Sequence, residues 1–311
     1  MPCPTWRPIR FSGLGVALVA AGTLLAATPA GAAIRVLAVA SSHAGVGNTS
    51  PAVSSLTYSL TIPDGNDRLL VVSVLIGDNS SPCIATSPTV ASVTYGKGPL
   101  NQITAIVGTP ECDGGAPRSE QWWLAAPATG PHDVVVTLSD NAQTIHSGAM
   151  AFEGVDQFGP VRNFASAIGR SRSSSVHVPS SDGDLVVNTV GQGDGIFDAG
   201  TGQTLLFIQN GDSSNTLNNS AASTAPGASG GVTMTWTFWN IDSWQTISSS
   251  LQPAGASTEA AGPDAAVKLV YVARPLGCAC QSAVAAETCL WGLVGLLAAP
   301  TRRRLPARRR G

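Results

Sequence analysis

Five tryptophans between residues 33 and 275 are the side chains of this sequence best suited to bind a ligand. Their large rings combine an apolar face with a hydrogen-bond donor, and an exposed ring of this kind can stack on a sugar. Neighbouring side chains of a strand point to opposite faces, so Trp122 and Trp123 must diverge. Trp123, Trp239 and Trp244 are the candidates for a partly exposed ligand platform. The favoured interpretation is that these rings cover the end of the fold or fill gaps between its sheets.

A glycoside hydrolase would need two carboxylates, because this reaction uses a pair of them about 5–9 Å apart. Glu120 and Glu153 lie near the ends of predicted strands and are the candidate pair. The preferred interpretation is that both are ordinary charges at strand edges. A Ser–His–Asp arrangement using His146 or His177 has no specific spacing to support it. The sequence therefore assigns no catalytic residue, and an enzyme is the less favoured alternative.

No cofactor is predicted, although a structural calcium ion is an alternative at two turns. Calcium prefers several oxygen ligands in a short loop. The acidic and amide residues at these turns also serve as ordinary turn formers, which is the preferred interpretation. The residues concerned are Asp64, Asn66 and Asp67 in the first turn, and Asp194 and Asp198 in the second.

The charge of the chain is unevenly distributed. Residues 33–276 hold nine Lys and Arg against 18 Asp and Glu, which gives a net charge of −9. An acidic surface repels phosphate backbones, so we expect no nucleic-acid partner. Eight of the 17 basic residues lie at the two ends of the chain instead.

The N-terminus has the three parts of a secretory signal peptide. Arg7 and Arg10 precede an apolar run from Leu14 to Ala27, and Ala30-Gly31-Ala32 is a small-residue cleavage pattern. We expect residues 1–32 to be removed on export. An uncleaved anchor is less favoured, because the run is short for a hydrocarbon layer of about 30 Å.

Residues 276–311 form a second addressing segment. Cys278 and Cys280 are followed by an apolar run, Leu290–Ala299, and then by the basic cluster that includes Arg302, Arg303 and Arg304. This order resembles the C-terminal sorting signals of myxobacterial and related surface proteins, the MYXO-CTERM type. The resemblance implies sorting machinery that removes a short apolar helix and leaves the body at the cell surface. A retained membrane span is the alternative, and it gives the same topology.

Two cysteines remain in the body, Cys83 and Cys112, each within a polar loop. In an exported protein such a pair indicates a disulfide, and a loop of about 30 residues closed in this way adds about 3–4 kcal/mol of stability.

The body, residues 33–275, shows short alternating or apolar runs bounded by turn residues, and no long helical period. This pattern predicts an all-β fold of the β-sandwich or jelly-roll type. Asn163–Ile168 and Ser174–Val178 are predicted as separate strands, and so are Val232–Trp239 and Thr246–Leu251. A last strand is predicted at Ala266–Val272.

Two segments echo each other, about 34–155 and 160–275. Leu69-Leu70-Val71 corresponds to Leu185-Val186-Val187, and Gln143–Ser147 to Gln245–Ser249. These matches predict a duplicated body, with chance similarity among Ser, Thr and Val strands as the alternative. Because no Pro/Ser-rich linker separates the segments, one continuous sandwich is favoured over two small domains.

The body also resembles uncharacterised secreted β-sandwich modules of bacteria. The similar features are Val93-Thr94-Tyr95-Gly96, Gln121-Trp122-Trp123-Leu124 and Phe152-Glu153-Gly154-Val155-Asp156-Gln157. Together the patterns favour a non-catalytic module at the cell surface or outer envelope, anchored through its C-terminus. Its expected partner is a polysaccharide, a matrix or another surface protein. A secreted carbohydrate-active enzyme and a structural envelope component are the alternatives.

Overall fold

The computed structural model describes residues 33–45, 52–77, 87–108, 117–210 and 219–255. Throughout this part of the chain the regular elements are β-strands, paired antiparallel. The predicted all-β class is therefore confirmed. The arrangement follows from composition, because β-branched side chains suit a pleated surface while Gly, Pro, Asn and Asp supply the turns.

The strands are grouped below by half of the chain. The first half contains β1 (Arg35–Ala44), β2 (Val53–Ile62), β3 (Leu69–Gly77), β4 (Val90–Tyr95), β5 (Gly98–Pro99), β6 (Asn101–Val107), β7 (Arg118–Ala125), β8 (Gly130–Ala142) and β9 (Thr144–Glu153). The second half contains β10 (Val161–Val178), β11 (Leu185–Gln192), β12 (Ile196–Ala199), β13 (Thr204–Gln209), β14 (Asn219–Pro226) and β15 (Val232–Leu251).

These strands form three sheets. In the first half, one sheet has the order β1-β9-β3-β7-β6 and the other the order β2-β8-β4-β5. In the second half, a single sheet has the order β10-β15-β11-β14-β13, and β12 also pairs with β15. Among these fifteen strands, no ladder joins one half to the other.

The two halves repeat one pairing pattern. The order β1-β9-β3-β7-β6 recurs strand for strand as β10-β15-β11-β14-β13. The register recurs too, because Leu69 lies opposite Phe152 while its counterpart Leu185 lies opposite Leu251. Four β-bulges of the first half have counterparts in the second. The four matched pairs are Val36/Ala38 with Val161/Asn163, Val53/Ser55 with Ser171/Ser173, Val90/Ser92 with Ile196/Asp198, and Gln102/Thr104 with Leu205/Phe207.

The register refines the echo found in the sequence. Leu69 and Leu185 do occupy equivalent positions. Gln245, however, lies opposite Gly191, which is six residues after Leu185. The equivalent position in the first half is Leu75, six residues after Leu69, and the residue opposite Leu75 is His146. The match of Gln143 to Gln245 is therefore wrong by three residues. The error arises because Ser- and Thr-rich strands resemble each other at several shifts.

An apolar core fills the space between the two sheets of the first half. β3 is buried along its whole length, and every second residue of it points into this core. Each fully buried Leu, Val or Ile contributes about 1.5–3 kcal/mol relative to exposure. The members from β3 are Leu70, Val72, Val74 and Ile76, which face Leu60, Val93, Val134 and Val136 of the smaller sheet.

The remaining side chains of β3 point into a second interface, which we call the seam. The seam is the contact between the five-stranded sheet of the first half and the six-stranded sheet of the second half. β6 lies against β10, β7 against β15, β9 against β14, and β1 against β13, so the strand orders oppose each other. Leu69, Val71 and Phe152 from the first half pack there with Val187 and Leu251 from the second.

Gln121 is the main polar link across the seam. Its side chain is completely buried. Nε2 donates to Thr189 Oγ1 at 2.9 Å and to the Ile247 carbonyl at 3.3 Å, while Oε1 accepts from Ser249 Oγ at 2.6 Å. A buried amide without partners would destabilise the fold by a few kcal/mol. These bonds therefore hold the sheets in one mutual position.

In the second half, two long strands build the outer layer by folding back. β10 and β15 are continuous across a bulge at Ser171/Ser173. Beyond it they cover β11, where Met234 packs with Val186, and Trp236 Nε1 donates to Asn188 Oδ1. The prediction of separate strands before and after each bend is thus wrong, because the bulge bends the ladder without interrupting it.

Three strands escaped prediction: β5, β12 and β14. β14 reads Asn-Ser-Ala-Ala-Ser-Thr-Ala-Pro, and seven of its eight residues are buried. Small side chains give no strong hydrophobic signal, although they allow the seam to pack closely. Several sequence predictions lie outside the described residues. These are the signal peptide 1–32, Cys83, Cys112, the strand at 266–272 and the tail 276–311.

Gly148 of β9 provides a test of the seam. A Cβ built there would lie 2.1 Å from Phe207 Cζ of β13. We expect Gly148→Ala to lower the free energy of unfolding by about 1–3 kcal/mol, because the seam has no room for the methyl group. Urea unfolding monitored by tryptophan fluorescence measures the change.

Gly159→Ala is the matched control, because no atom lies within 4 Å of the added Cβ. Its effect should stay within about 0.5 kcal/mol. Phe207→Leu should restore part of the stability lost in Gly148→Ala. Equal losses for Gly148→Ala and Gly159→Ala would contradict the packing described for the seam.

Candidate functional site

A groove opens at one end of the seam, where the two halves meet. Its volume is about 400 Å³, within the range typical of ligand pockets. We call it the seam groove. From the first half, the groove is lined by Gln102, Ile103 and Trp123. The connection between the halves adds Phe158, Gly159 and Pro160, and β10 adds Val161, Arg162, Asn163 and Phe164.

Trp123 reaches the groove because of strand alternation. As predicted, it diverges from Trp122, which packs against the first-half core and donates from Nε1 to Glu120 Oε2 at 3.1 Å. Trp123 is half-buried, packs against the seam and lines the groove. One member of the predicted platform therefore lies in a concave site.

The connection between the halves presents Phe158 to solvent. Phe158 is 99% exposed. Asp156 is buried, and its Oδ1 accepts hydrogen bonds from the backbone amides of Phe158 at 2.9 Å and Gly159 at 2.7 Å. Val155 forms a β-bridge with Pro253. The backbone under this exposed ring is thus fixed on both sides, which reduces the entropy lost when a ligand binds.

Arg162 places a guanidinium at the groove. Its Nε donates to Asp184 Oδ2 at 2.9 Å and to Oδ1 at 3.3 Å. Asp184 is buried and also accepts from the Ser181 amide at 2.9 Å and from Ser250 Oγ at 2.8 Å. The carboxylate is therefore anchored in the second half and holds the arginine in position.

Over residues 164–168, β10 exposes its large apolar side chains, while its small ones are half-buried. Phe164 and Ile168 are 53% and 43% exposed. Ala165 and Ala167, which point the other way, pack against the cores of the second half. Folding alone would favour the reverse, since burial of large apolar side chains stabilises most. Phe164 is therefore an exposed aromatic ring that the packing of the second half does not explain.

The other predicted platform residues do not join Trp123. Trp239 is 58% exposed but lies on β15 beside Gly195, 3.5 Å from a Cβ built there. The prediction that Trp244 is exposed is wrong. Trp244 covers Gly169, is 8% exposed and donates from Nε1 to Ser171 Oγ at 2.9 Å. Its ring closes the space above β10 at a position where glycine leaves room.

The candidate carboxylate pair is also separated. Glu120 lies opposite Val74, whereas Glu153 lies just beyond the pair Leu69–Phe152 at the other end of β3. Six residues of strand correspond to about 20 Å, far more than a glycosidase pair allows. Glu120 is buried within a structural network. Its carboxylate accepts from Arg118, Gln102, Trp122 and the Val90 amide.

The two candidate calcium turns show the bonds of ordinary turns. Carbonyls of Asn66 and Asp67 accept from the amides of the connection between the halves. Asp194 Oδ2 accepts from Asn240, and Asp198 Oδ1 from the Ala199 amide. Within the ranges that the structure describes, no three or more His, Cys, Asp or Glu side chains cluster as metal ligands.

A histidine pair lies at the opposite edge of the seam. The rings of His43 and His146 stack at 5.3 Å. Gln209 of β13 bridges them, since Oε1 lies 3.2 Å from His146 Nδ1 and Nε2 lies 3.2 Å from His43 Nδ1. Burial, reinforced by the positive charge of His43, lowers the pKa of His146 to about 4, although the bond to Gln209 opposes this shift.

Sequence reasoning found Trp123 but missed the rest of the seam groove. Phe158 lies in the Gly154–Pro160 break, where it gave no strand signal. Phe164 lies within the predicted strand Asn163–Ile168 and Arg162 just before it, but strand periodicity does not reveal which face a second sheet leaves open.

The chain matches no known protein-family model, and no curated protein or solved structure shows significant similarity to it. Among the described residues, no helix has the length and apolar character needed to cross a membrane.

His146 makes the stability depend on pH. Its pKa is lower in the folded chain than the ordinary value of 6.5, so the unfolded chain binds more protons between pH 6.5 and about 4. Stability from this group is therefore complete above pH 6.5 and is lost as the pH falls to about 4. The loss amounts to about 3 kcal/mol.

Urea unfolding at pH 7.5 and pH 4.5 measures this difference. Because carboxylates also bind protons over this interval, the comparison is with His146→Gln, which keeps a polar side chain but cannot titrate. The variant should lose clearly less stability than the parent chain over this interval. The same loss in both proteins would rule out His146 as the source.

Proposed function

We propose that the chain is an exported, non-catalytic surface module that binds polysaccharide in the seam groove. The groove carries the proposal because it brings Trp123, Phe158 and Phe164 together beside the amides of Gln102 and Asn163. The apolar face of a sugar ring stacks on aromatic rings, and its hydroxyls pair with amide and guanidinium groups. Such a combination of apolar lining and few polar groups is typical of ligand sites.

The separation of the candidate acids supports binding without hydrolysis. Glu120 is committed to Arg118 and its neighbours, and Glu153 lies at the other end of β3. Neither acid is among the residues that line the groove. The groove itself is lined by aromatic, aliphatic, amide and guanidinium groups.

The repeated strand order and the repeated bulges support an origin of this body by duplication of one β-sandwich. In this proposal each half forms two layers, and the seam joins the two copies in one chain. Insertion of the Phe158 connection between the copies then creates a site that one copy alone lacks.

Export and anchoring belong to the same proposal, on the sequence evidence of residues 1–32 and 276–311. The signal peptide would direct the body out of the cell, and the cysteine motif, apolar run and arginines would retain it at the surface. The Cys83–Cys112 disulfide would then form in an oxidising environment.

A glycan panel tests the groove. Phe158→Ala should weaken binding of the recognised polysaccharide about tenfold, or about 1.4 kcal/mol, because an aromatic contact at the rim is lost. Phe158 is fully exposed, so the variant should unfold like the parent chain. Binding is measured on the purified full chain, and released sugar is assayed in parallel.

Phe197→Ala is the matched control, since Phe197 is 61% exposed and lies outside the groove. It should leave binding unchanged. Loss of binding in Trp239→Ala together with full binding in Phe158→Ala would contradict the seam groove as the binding site and would indicate a site on β15. Release of sugar would contradict a non-catalytic role.

Cell fractionation tests the anchor. Removal of residues 276–311 should shift the protein from the cell surface to the medium, because the proposed retention signal is lost. Cys278→Ala/Cys280→Ala should do the same if sorting needs the cysteines. Surface retention of the double variant, with release only on truncation, would favour a plain membrane span.

A further inference from the structure

A second pocket lies in the first half, away from the seam. The β4–β5 turn and the β7–β8 connection enclose it, and its volume is about 870 Å³. One wall is apolar, with Leu124, Pro127 and Pro131. The other wall carries Lys97 and His132. We call it the hairpin pocket.

Lys97 is presented by a turn that two glycines make possible. Gly96 has a φ of +56°, and a Cβ there would lie 3.2 Å from His132 Nδ1. A Cβ at Gly98 would lie 3.0 Å from Leu124 Cδ2. The Gly96 amide donates to the Asp133 carbonyl at 2.9 Å, which closes the turn onto β8. Larger residues on either side of Lys97 would therefore disturb the wall.

Lys97 offers a positive charge in an acidic protein. The sequence contains two lysines, Lys97 and Lys268. Arg118 pairs with Glu120 and Arg162 pairs with Asp184, and Lys97 takes part in neither of these ion pairs. An exposed ammonium at the wall of a pocket is suited to an anionic group of a ligand.

His132 presents a fixed acceptor beside this charge. Its Nε2 lies 3.2 Å from the Thr129 carbonyl, which can only accept, so Nε2 carries the proton. In the neutral ring, Nδ1 then carries a lone pair on the side where Gly96 has no side chain. The ring packs edge-on against Tyr95 at 5.4 Å, and the Tyr95 hydroxyl is bonded to the carbonyls of Leu60 and Gly130.

We propose that the hairpin pocket binds an anionic sugar. Lys97 pairs with its carboxylate or phosphate, and His132 Nδ1 accepts from a hydroxyl. The apolar wall of Leu124, Pro127 and Pro131 packs on the ring. Asp133 also lines the pocket and accepts from further hydroxyls, so its charge disfavours ligands with several negative groups. This site does not depend on the function proposed for the seam groove.

The test uses the reactivity of the lysines in the full chain. A lysine-specific acylating reagent labels Lys97 and Lys268, and mass spectrometry reads each separately, with Lys268 as internal control. Glucuronate at about four times its dissociation constant should slow labelling of Lys97 about fivefold, because only the unoccupied fraction of the protein reacts. Glucose and acetate at the same concentration should give little protection, since each lacks one of the two required groups.

Glucose 6-phosphate, tested in the same way, shows whether the pocket accepts a phosphate as well as a carboxylate. Protection by both anionic sugars assigns the broad class, and protection by glucuronate alone assigns uronic acids. Equal protection by glucose or acetate, or no protection by either anionic sugar, overturns the proposal.

Calorimetry then measures the affinity of the parent chain and of variants for the protecting sugar directly. Lys97→Met keeps the aliphatic stem without the charge and should weaken binding of the protecting sugar about fivefold. Lys268→Met is the matched control and should not change it. Equal affinity in Lys97→Met and the parent chain would overturn the proposal. Phe158→Ala should leave this binding intact, so failure here and failure of the seam groove remain distinguishable.

Discussion

The stacking of the five-stranded sheet of the first half on the six-stranded sheet of the second half is the constraint on which the rest of this protein depends. Because β3 and β9 are covered on both faces, they are buried along nearly their whole length, and their side chains divide between two interfaces. Gln121 crosses the seam with three hydrogen bonds while fully buried. Such an amide tolerates only one position of the facing sheet, since any slip leaves its donors and acceptor without partners.

The opposed strand order makes the seam resemble a twofold contact within one chain, yet its two ends differ. In the first half, Trp123 lies two residues before Ala125, the partner of Leu69 in the ladder. In the second half, Thr224 lies two residues before Pro226, the partner of Leu185. Trp123 and Thr224 are thus equivalent positions with different side chains. The aromatic groove forms where the tryptophan and the Phe158 connection coincide. A repeated scaffold acquires a single site by such local differences.

Much of the architecture was predictable from residue patterns. The all-β class follows from alternation and turn residues, and the divergence of Trp122 from Trp123 follows from strand geometry. The continuity of β15 was hidden, because Asn240, Asp242 and Ser243 read as a turn although a bulge carries the ladder through them. β14 was hidden for a different reason, since its Ala, Ser and Thr residues are buried by neighbours that the sequence does not reveal.

The sequence by itself determined the class of fold, the unequal distribution of charge, the predicted addressing segments at both ends and the set of tryptophans worth considering. These properties depend on composition and short-range spacing. The tertiary structure decided which tryptophan lies in a groove, which is covered by its own half, and that Glu120 and Glu153 lie far apart. Such outcomes depend on how sheets stack, and stacking joins residues more than a hundred positions apart, beyond the reach of any local pattern.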